Sequence, residues 1–313
     1  MTAVNEPLTR TIEFTPVAGH TGADVSGVDL AAELSEAQVA EITAALHEYK
    51  VLFFRGQQHV GHAEQVAFAR RFGKVTPSHP YDDDAPTEHP EILAIDSRIY
   101  EKRFGVKKFS YTNYWHTDIS PLINPPAASI LRAHEVPVRG GDTQWTNLAA
   151  VYANLPQSLR NFLDGLRAEH RFGGRRPQWD TNSDYARKVA AAPLATEHSV
   201  VRVHPVTGER ILFVNPGFTT RILGLSARQS DALLELLFAE LADPVYTVRF
   251  RWEPGHVAFW DNRATAHLAP GDLGHLGDGV NRVLYRTTLE GDVPVGVDGR
   301  VSEPIVGERF AGN

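Results

Sequence analysis

Downstream of Trp115 the chain is cut into short β-type segments, and this pattern limits the possible folds more than any other feature. Stretches 127–132, 143–146, 200–204, 211–214, 246–252, 256–260 and 283–289 are rich in Val, Ile, Phe, Thr and Trp and are separated by Gly and Pro. The 200–204 and 211–214 pair flanks Pro205-Val206-Thr207-Gly208, a hairpin signal. Only two helical patches interrupt, at 155–166 and 226–241. In the second, Leu233, Leu236, Leu237, Glu240 and Leu241 form a mostly apolar face at helical spacing. Strands that do not alternate regularly with helices predict a mainly β sandwich or barrel with flanking α-helices, not a parallel α/β sheet. No Gly-, Ser- or Pro-rich linker divides the chain, so residues 1–313 are expected to form one domain.

The upstream part supplies the flanking helices. Ser35 with Gln38 three residues later predicts a capped helix running to Tyr49. Val51-Leu52-Phe53-Phe54 then reads as a buried strand, and 62–72 as a second helix stopped by Gly73. Residues 74–114 are mostly polar, with one strand-like patch at 92–95, and read as an active-site lid. Segment 150–198 is expected to be a helical insertion, and 295–313 a polar tail.

Composition excludes several function classes. The 313 residues contain no Cys, which removes disulfides, thiolate metal sites and a Cys nucleophile, and fits a reducing compartment. A net charge of -7 gives no global argument for a nucleic-acid partner. No apolar run is long enough to span a bilayer, and 1–16 does not read as a signal peptide. The expectation is a cytoplasmic protein with neither a membrane nor a nucleic-acid partner. Fourteen His in a Cys-free chain leave room for a metal site built from nitrogen and oxygen ligands.

Trp115-His116-Thr117-Asp118 is the key stretch. In extended backbone, residues i and i+2 share a face, so His116 and Asp118 can aim at one point. His267, after Trp260-Asp261-Asn262-Arg263, can complete two His and one carboxylate, a set that leaves metal positions open. By itself a His-x-Asp tripeptide is expected by chance in so His-rich a chain. The segment from Asn281 to Leu289 adds information. Period two places Arg282, Leu284, Arg286 and Thr288 on one face, and two guanidiniums on an apolar strand face invite two anions. Structural salt bridges or a solvated face would account for them equally well.

Together the motifs resemble a known family. Trp115-His116-Thr117-Asp118, Gly140-Gly141-Asp142-Thr143, His204-Pro205-Val206-Thr207-Gly208, Leu212-Phe213-Val214-Asn215, Trp260-Asp261-Asn262-Arg263 and the Arg282/Arg286 pair occur in order. They are similar to the taurine dioxygenase family of Fe(II)/2-oxoglutarate-dependent oxygenases, which includes alkylsulfatases and phenoxyalkanoate dioxygenases. The resemblance covers about residues 19–294. It implies a double-stranded β-helix core of jelly-roll, cupin-like type, with Fe(II), 2-oxoglutarate and O2 as cofactor and co-substrates. It implies that His116, Asp118 and His267 are the catalytic iron ligands and that Arg282 and Thr143 hold the co-substrate. Arg286, His79, Phe218 and Thr112 would contact a small anionic substrate. An organosulfonate such as taurine, giving sulfite, succinate and CO2, is the first expectation, with an alkyl sulfate ester or a carboxylate as the alternative. A cupin-like metal protein without oxygenase activity is a remote alternative. The resemblance further implies a homo-oligomer, a dimer or tetramer.

The chain departs from the taurine enzymes at several points. Where those carry Asn and Tyr towards the amine, Thr112 and Asp82 stand here. Lys107, Lys108, Arg175 and Arg176 add basic groups that belong either to solvated loops or to a larger anionic substrate. The loop between His267 and Arg282, with Gly271, Gly274, Gly277 and Gly279, is longer than in the family.

Overall fold

The computed structural model describes residues 12–81, 86, 88–99, 103–104, 113–175, 179–277 and 279–307. Thr112, Asp82, Lys107, Lys108 and Arg176 lie outside the described residues, as does most of the 98–110 stretch.

The core is a jelly roll with helices on its outer faces. A seven-stranded sheet runs in the order β1 (Glu13–Pro16), β2 (Ala23–Ser26), β3 (Val51–Phe54), β13 (Val257–Asp261), β5 (Ala128–Glu135), β15 (Val283–Leu289) and β4 (Leu93–Asp96). Its pairs are antiparallel apart from β2 with β3. A three-stranded sheet, β12 (Thr247–Phe250), β6 (Thr143–Asn147) and β14 (Thr265–Leu268), carries one edge of the site. A four-stranded sheet comprises β11 (Thr219–Ile222), β7 (Arg167–Arg171), β8 (Ala195–Ser199) and β17 (Glu303–Val306). A third small sheet pairs β10 (Arg210–Leu212), β9 (Val201–Val203) and β16 (Val295–Gly296), and contains the expected hairpin.

Burial on both faces explains the continuous apolar run of β3. Leu52 and Phe54 meet Ile130, Val257 and Phe259 under the helices α1 (Glu36–Tyr49) and α2 (His62–Arg70). Val51 and Phe53 point the other way, into the roll, against Trp145, Val248, Phe250, Ala258 and Trp260. Strands buried on both faces lose the polar alternation of a half-exposed strand. The capping box of α1 is present: Ser35 Oγ accepts from Gln38 N, and Gln38 Oε1 accepts from Ser35 N at 2.9 Å.

Two expectations are corrected. Segment 150–198 is not simply helical. It holds α3 (Leu148–Asn154), α4 (Gln157–Leu163) and α5 (Asp184–Ala191), but also strands β7 and β8, paired over five residues. Their inward positions carry the polar side chains of His170 and His198, both fully buried, so no apolar alternation marks them. In α6 (Ala227–Leu241) the buried face is Ser230, Leu234, Leu237 and Leu241, while Leu236 is exposed. Beyond these two, the polar tail is partly folded, since β16 and β17 lie in it and pair with β9 and β8. Among the described residues no helix is long and apolar enough to cross a membrane.

Candidate active site

His116 and His267 face each other at an isolated β-bridge. Each backbone N–H donates to the other's carbonyl, at 2.9 and 2.8 Å, and the ring centroids lie 4.2 Å apart. Asp118 follows in a turn, closed by Ile119 at φ 49°. A β-branched residue in the left-handed region costs about 1–3 kcal/mol and marks a turn held by its surroundings. The turn brings Asp118 Oδ1 to 3.9 Å from His116 Nε2 and 3.8 Å from His267 Nε2. The three expected ligands therefore converge, and their donor atoms lie within 4.8 Å of one another.

The chain fixes His116 and Asp118 from behind, whereas His267 Nδ1 is buried with no partner among the described residues. Tyr114 carbonyl can only accept, so His116 Nδ1–H donates to it at 2.9 Å and Nε2 presents its lone pair inward. Ser129 Oγ donates to Asp118 Oδ2 at 2.7 Å, which leaves Oδ1 as the oxygen facing the two imidazoles. Asn262 binds the Asp118 backbone twice, accepting from its N–H at 2.8 Å and donating to its carbonyl at 3.1 Å. Burial pushes the His116 and His267 pKa values down, His267 well below its ordinary value, so both imidazoles are neutral. Burial pushes the Asp118 carboxyl up, but the Arg286 guanidinium beside it, helped by the Ser129 hydroxyl, outweighs this and holds it at about 2. Two neutral imidazoles and one ionised carboxylate, with their donor atoms gathered at one point, fit a divalent iron.

Arg282 and Thr143 meet beside the triad. Arg282 Nη2 donates to Thr143 Oγ1 at 3.1 Å and Nε to the Gly141 carbonyl at 2.7 Å. The approach needs glycine: Gly141 has φ +67°, and a Cβ there would lie 3.1 Å from Arg282 Cδ. Arg286 lies on the inward face of β15 and donates to Asp118 Oδ1. Its Nε is buried with no partner among the described residues, a polar atom suited to an added anion. His79 accepts from Tyr81 N at Nδ1 (3.2 Å), so its neutral ring carries a donor at Nε2. Burial and the nearby Arg286 and Arg103 charges hold His79 neutral. Phe218 packs edge-on to His116 at 6.1 Å and to Phe172 at 5.1 Å. Tyr81, Phe104, Ile119, Leu122, Phe172 and Tyr185 form one apolar cluster, with Phe218 packed against it.

Sequence reasoning missed Ser129 and gave Asn262 no role. Ser129 is the one small polar residue inside the apolar start of β5, a detectable signal. Arg175 is not a pocket residue: it pairs with Asp231 at 2.6 Å and Glu235 at 3.0 Å on α6. In the long loop after His267, Asp272 accepts from Gly141 N at 3.0 Å, tying that loop to the Arg282 side of the site.

A second group, His47, His204 and Asp261, has the same composition as the triad but a different chemistry. His204 Nδ1 accepts from Val206 and Thr207 N–H groups, so its Nε2–H donates to Asp261 at 3.0 Å and offers no lone pair. Arg263 donates to both Asp261 oxygens, at 2.9 and 2.6 Å. The guanidinium already occupies the cation's place. Among the described residues, His116, Asp118 and His267 are the group suited to a metal.

The model of the taurine catabolism dioxygenase TauD, TfdA family matches residues 13–288. An alpha-ketoglutarate-dependent sulfate ester dioxygenase of Pseudomonas putida is 40% identical over 93% of this chain and 93% of its own. An alkylsulfatase of Acinetobacter baylyi is 36% identical over 96% and 91%. A crystal structure of a taurine dioxygenase from Burkholderia xenovorans is 47% identical, covers 95% of each chain and superposes with a TM-score of 0.81. The chain belongs to the TauD, TfdA family and is an Fe(II)- and 2-oxoglutarate-dependent dioxygenase.

Proposed function

We propose that this enzyme hydroxylates the carbon bearing the anionic group of an alkyl sulfate ester, with an organosulfonate as the second reading. The observation that carries the choice is the join between anion donors and apolar wall. Arg286 donates to Asp118, His79 lies near enough for both charges to act on it, and the His79 ring packs against Phe172, Tyr81 and Tyr185. A sulfate head on these donors places an apolar alkyl body against aromatic rings that bury it without asking for polar partners, whereas the ammonium of taurine needs hydrogen-bond acceptors that these rings lack. The sulfate ester and alkylsulfatase names of two relatives support the same order.

In this reading His116, Asp118 and His267 hold the iron, and Arg282 and Thr143 hold the distal carboxylate of 2-oxoglutarate. Iron, 2-oxoglutarate and O2 together supply the oxidant, with succinate and CO2 as products. The chain does the rest. Arg286 and His79 fix the head group, Phe218 and Phe172 exclude water, and the carbon next to the sulfate oxygen is turned towards the metal. Hydroxylation there places OH and OSO3⁻ on one carbon. The C–O bond to sulfate then breaks, the hydroxyl proton is lost, and an aldehyde and sulfate leave. A sulfonate would give an aldehyde and sulfite by the same logic.

The test is product analysis with linear alkyl sulfates, alkyl sulfonates and taurine under O2. Succinate formed one-to-one with sulfate from the alkyl sulfates is the expected result. Sulfite from taurine, with alkyl sulfates inert, would overturn the choice.

A further inference from the structure

Thr143 Oγ1 sits between two groups that can only donate. Trp252 Nε1–H reaches it at 2.9 Å and Arg282 Nη2 at 3.1 Å. A hydroxyl has two lone pairs and one proton. An indole N–H and a guanidinium carry no acceptor, so both lone pairs are taken and the proton is left over. Thr143 donates to no acceptor among the described residues. We infer that Trp252 is a positioning residue for the co-substrate: with Arg282 it commits the Thr143 hydroxyl to donate to the distal carboxylate of 2-oxoglutarate.

The local structure supports a fixed role. Thr143 opens β6 and pairs with Phe250 at the end of β12, and Trp252 lies two residues further along. Trp252 and Thr143 are each 2% exposed. The indole is held edge-on by Phe250, at 5.0 Å and 88°. Arg282 is anchored separately through Nε on Gly141. Neither donor needs to move to keep its bond, so the hydroxyl rotor has one satisfied orientation. The neighbouring indoles differ. Trp145 and Trp260 Nε1 are buried with no partner among the described residues. Core packing in this region therefore does not itself demand a paired indole, and the Trp252–Thr143 bond calls for its own explanation. A hydroxyl free to rotate could accept as readily as donate; one pre-set as a donor favours a carboxylate before it arrives.

The inference rests on the reading that Thr143 and Arg282 bind 2-oxoglutarate, and the experiment separates the two. Binding of 2-oxoglutarate to the Mn(II)-loaded full chain is measured by calorimetry for wild type, Thr143→Val, Trp252→Phe and the double variant. Loss of one charge-assisted hydrogen bond corresponds to roughly ten- to a hundredfold weaker binding, and loss of its pre-orientation to about three- to tenfold. Thr143→Val is expected to show the first and Trp252→Phe the second. Once Thr143 is Val, Trp252→Phe is expected to change affinity by less than about twofold. Mn(II) affinity and KM for the anionic substrate stay at wild-type values in Trp252→Phe. Unchanged affinity in Thr143→Val would remove the underlying reading. Weakening in Thr143→Val but not in Trp252→Phe would overturn the inference alone. Equal losses in both backgrounds, or a parallel loss of metal affinity, would overturn it by showing that Trp252 acts through the fold. If the smaller ring of Trp252→Phe prevents folding, site-specific benzothienylalanine, which keeps the ring area and lacks the N–H, gives the same comparison.

Discussion

Arg286 donates to Asp118 Oδ1, the same carboxylate oxygen that faces His116 and His267. One guanidinium thus borders both the metal ligand set and the place assigned to the substrate head group. Arg286→Gln is expected to lower kcat/KM for the anionic substrate by about a hundredfold or more. Its 2-oxoglutarate affinity should stay within about threefold of wild type, because Arg282, not Arg286, meets Thr143. Steady-state kinetics in each substrate reads this split. Equal losses for both would contradict the division of labour.

The supports behind Asp118 are expected to matter for metal binding. Asn262→Ala removes two bonds to Asp118 and one to the Pro126 carbonyl. Ser129→Ala frees Asp118 Oδ2. Each variant should weaken Fe(II) affinity by about ten- to a hundredfold. Asn262→Ala should also cost about 1–3 kcal/mol of stability, since buried backbone groups lose their partners. Competitive chelator titrations and urea melts measure the two effects.

The second His–Asp group makes the opposite prediction. Arg263→Ala leaves Asp261 buried beside a lost cation and should destabilise the fold by about 3–5 kcal/mol. His204→Ala should leave the iron stoichiometry at one per chain. A second tightly bound iron in wild type that disappears in His204→Ala would contradict the reading of this cluster as structural.

How far this site could be read in advance depended on what each residue does. His116 and Asp118 share a strand face in the sequence, but His267 lies far downstream, and only the ordered family motifs joined the three as expected ligands. Arg282 and Arg286 stood out as charges on an apolar strand. Ser129 and Trp252 were not legible in this way, because each acts through one hydrogen bond and is otherwise an ordinary strand or core residue. The fold divides similarly. β3, β5, β13 and β15 follow from largely apolar runs, and β6 from a Thr- and Trp-bearing one. β7 and β8 do not, because their buried positions are filled by His170 and His198 within a polar network. His170 Nδ1 lies 3.0 Å from Ser120 Oγ, and His198 Nε2 donates to the Ser120 carbonyl at 2.8 Å.

Those buried imidazoles set the acid response. Burial pushes His170 down from 6.5 to about 3 and His198 well below its ordinary value. Both are neutral when folded, while the unfolded chain binds their protons below about pH 6.5. The unfolded state therefore gains protons first, and stability falls as pH drops. Each such His contributes a slope of about 1.4 kcal/mol per pH unit from pH 6.5 towards its folded value. Asp118, held at about 2, adds a loss between roughly pH 4 and 2. Metal-free protein should thus lose stability steeply below pH 6.5, and His198→Gln should reduce the slope by about one proton. Urea unfolding from pH 7 to 5 tests this; a flat profile would contradict it.

The central claim is that the triad and Arg282 form one centre for iron and 2-oxoglutarate. The most direct measurement is an anaerobic titration of the Fe(II)-loaded enzyme with 2-oxoglutarate, following the weak visible charge-transfer absorption of the chelate, in wild type and in Arg282→Ala. Absorption is expected to saturate at one equivalent in wild type and to need far higher 2-oxoglutarate in Arg282→Ala. Fully iron-loaded wild type that develops no absorption, or an Arg282→Ala titration indistinguishable from wild type, would contradict it.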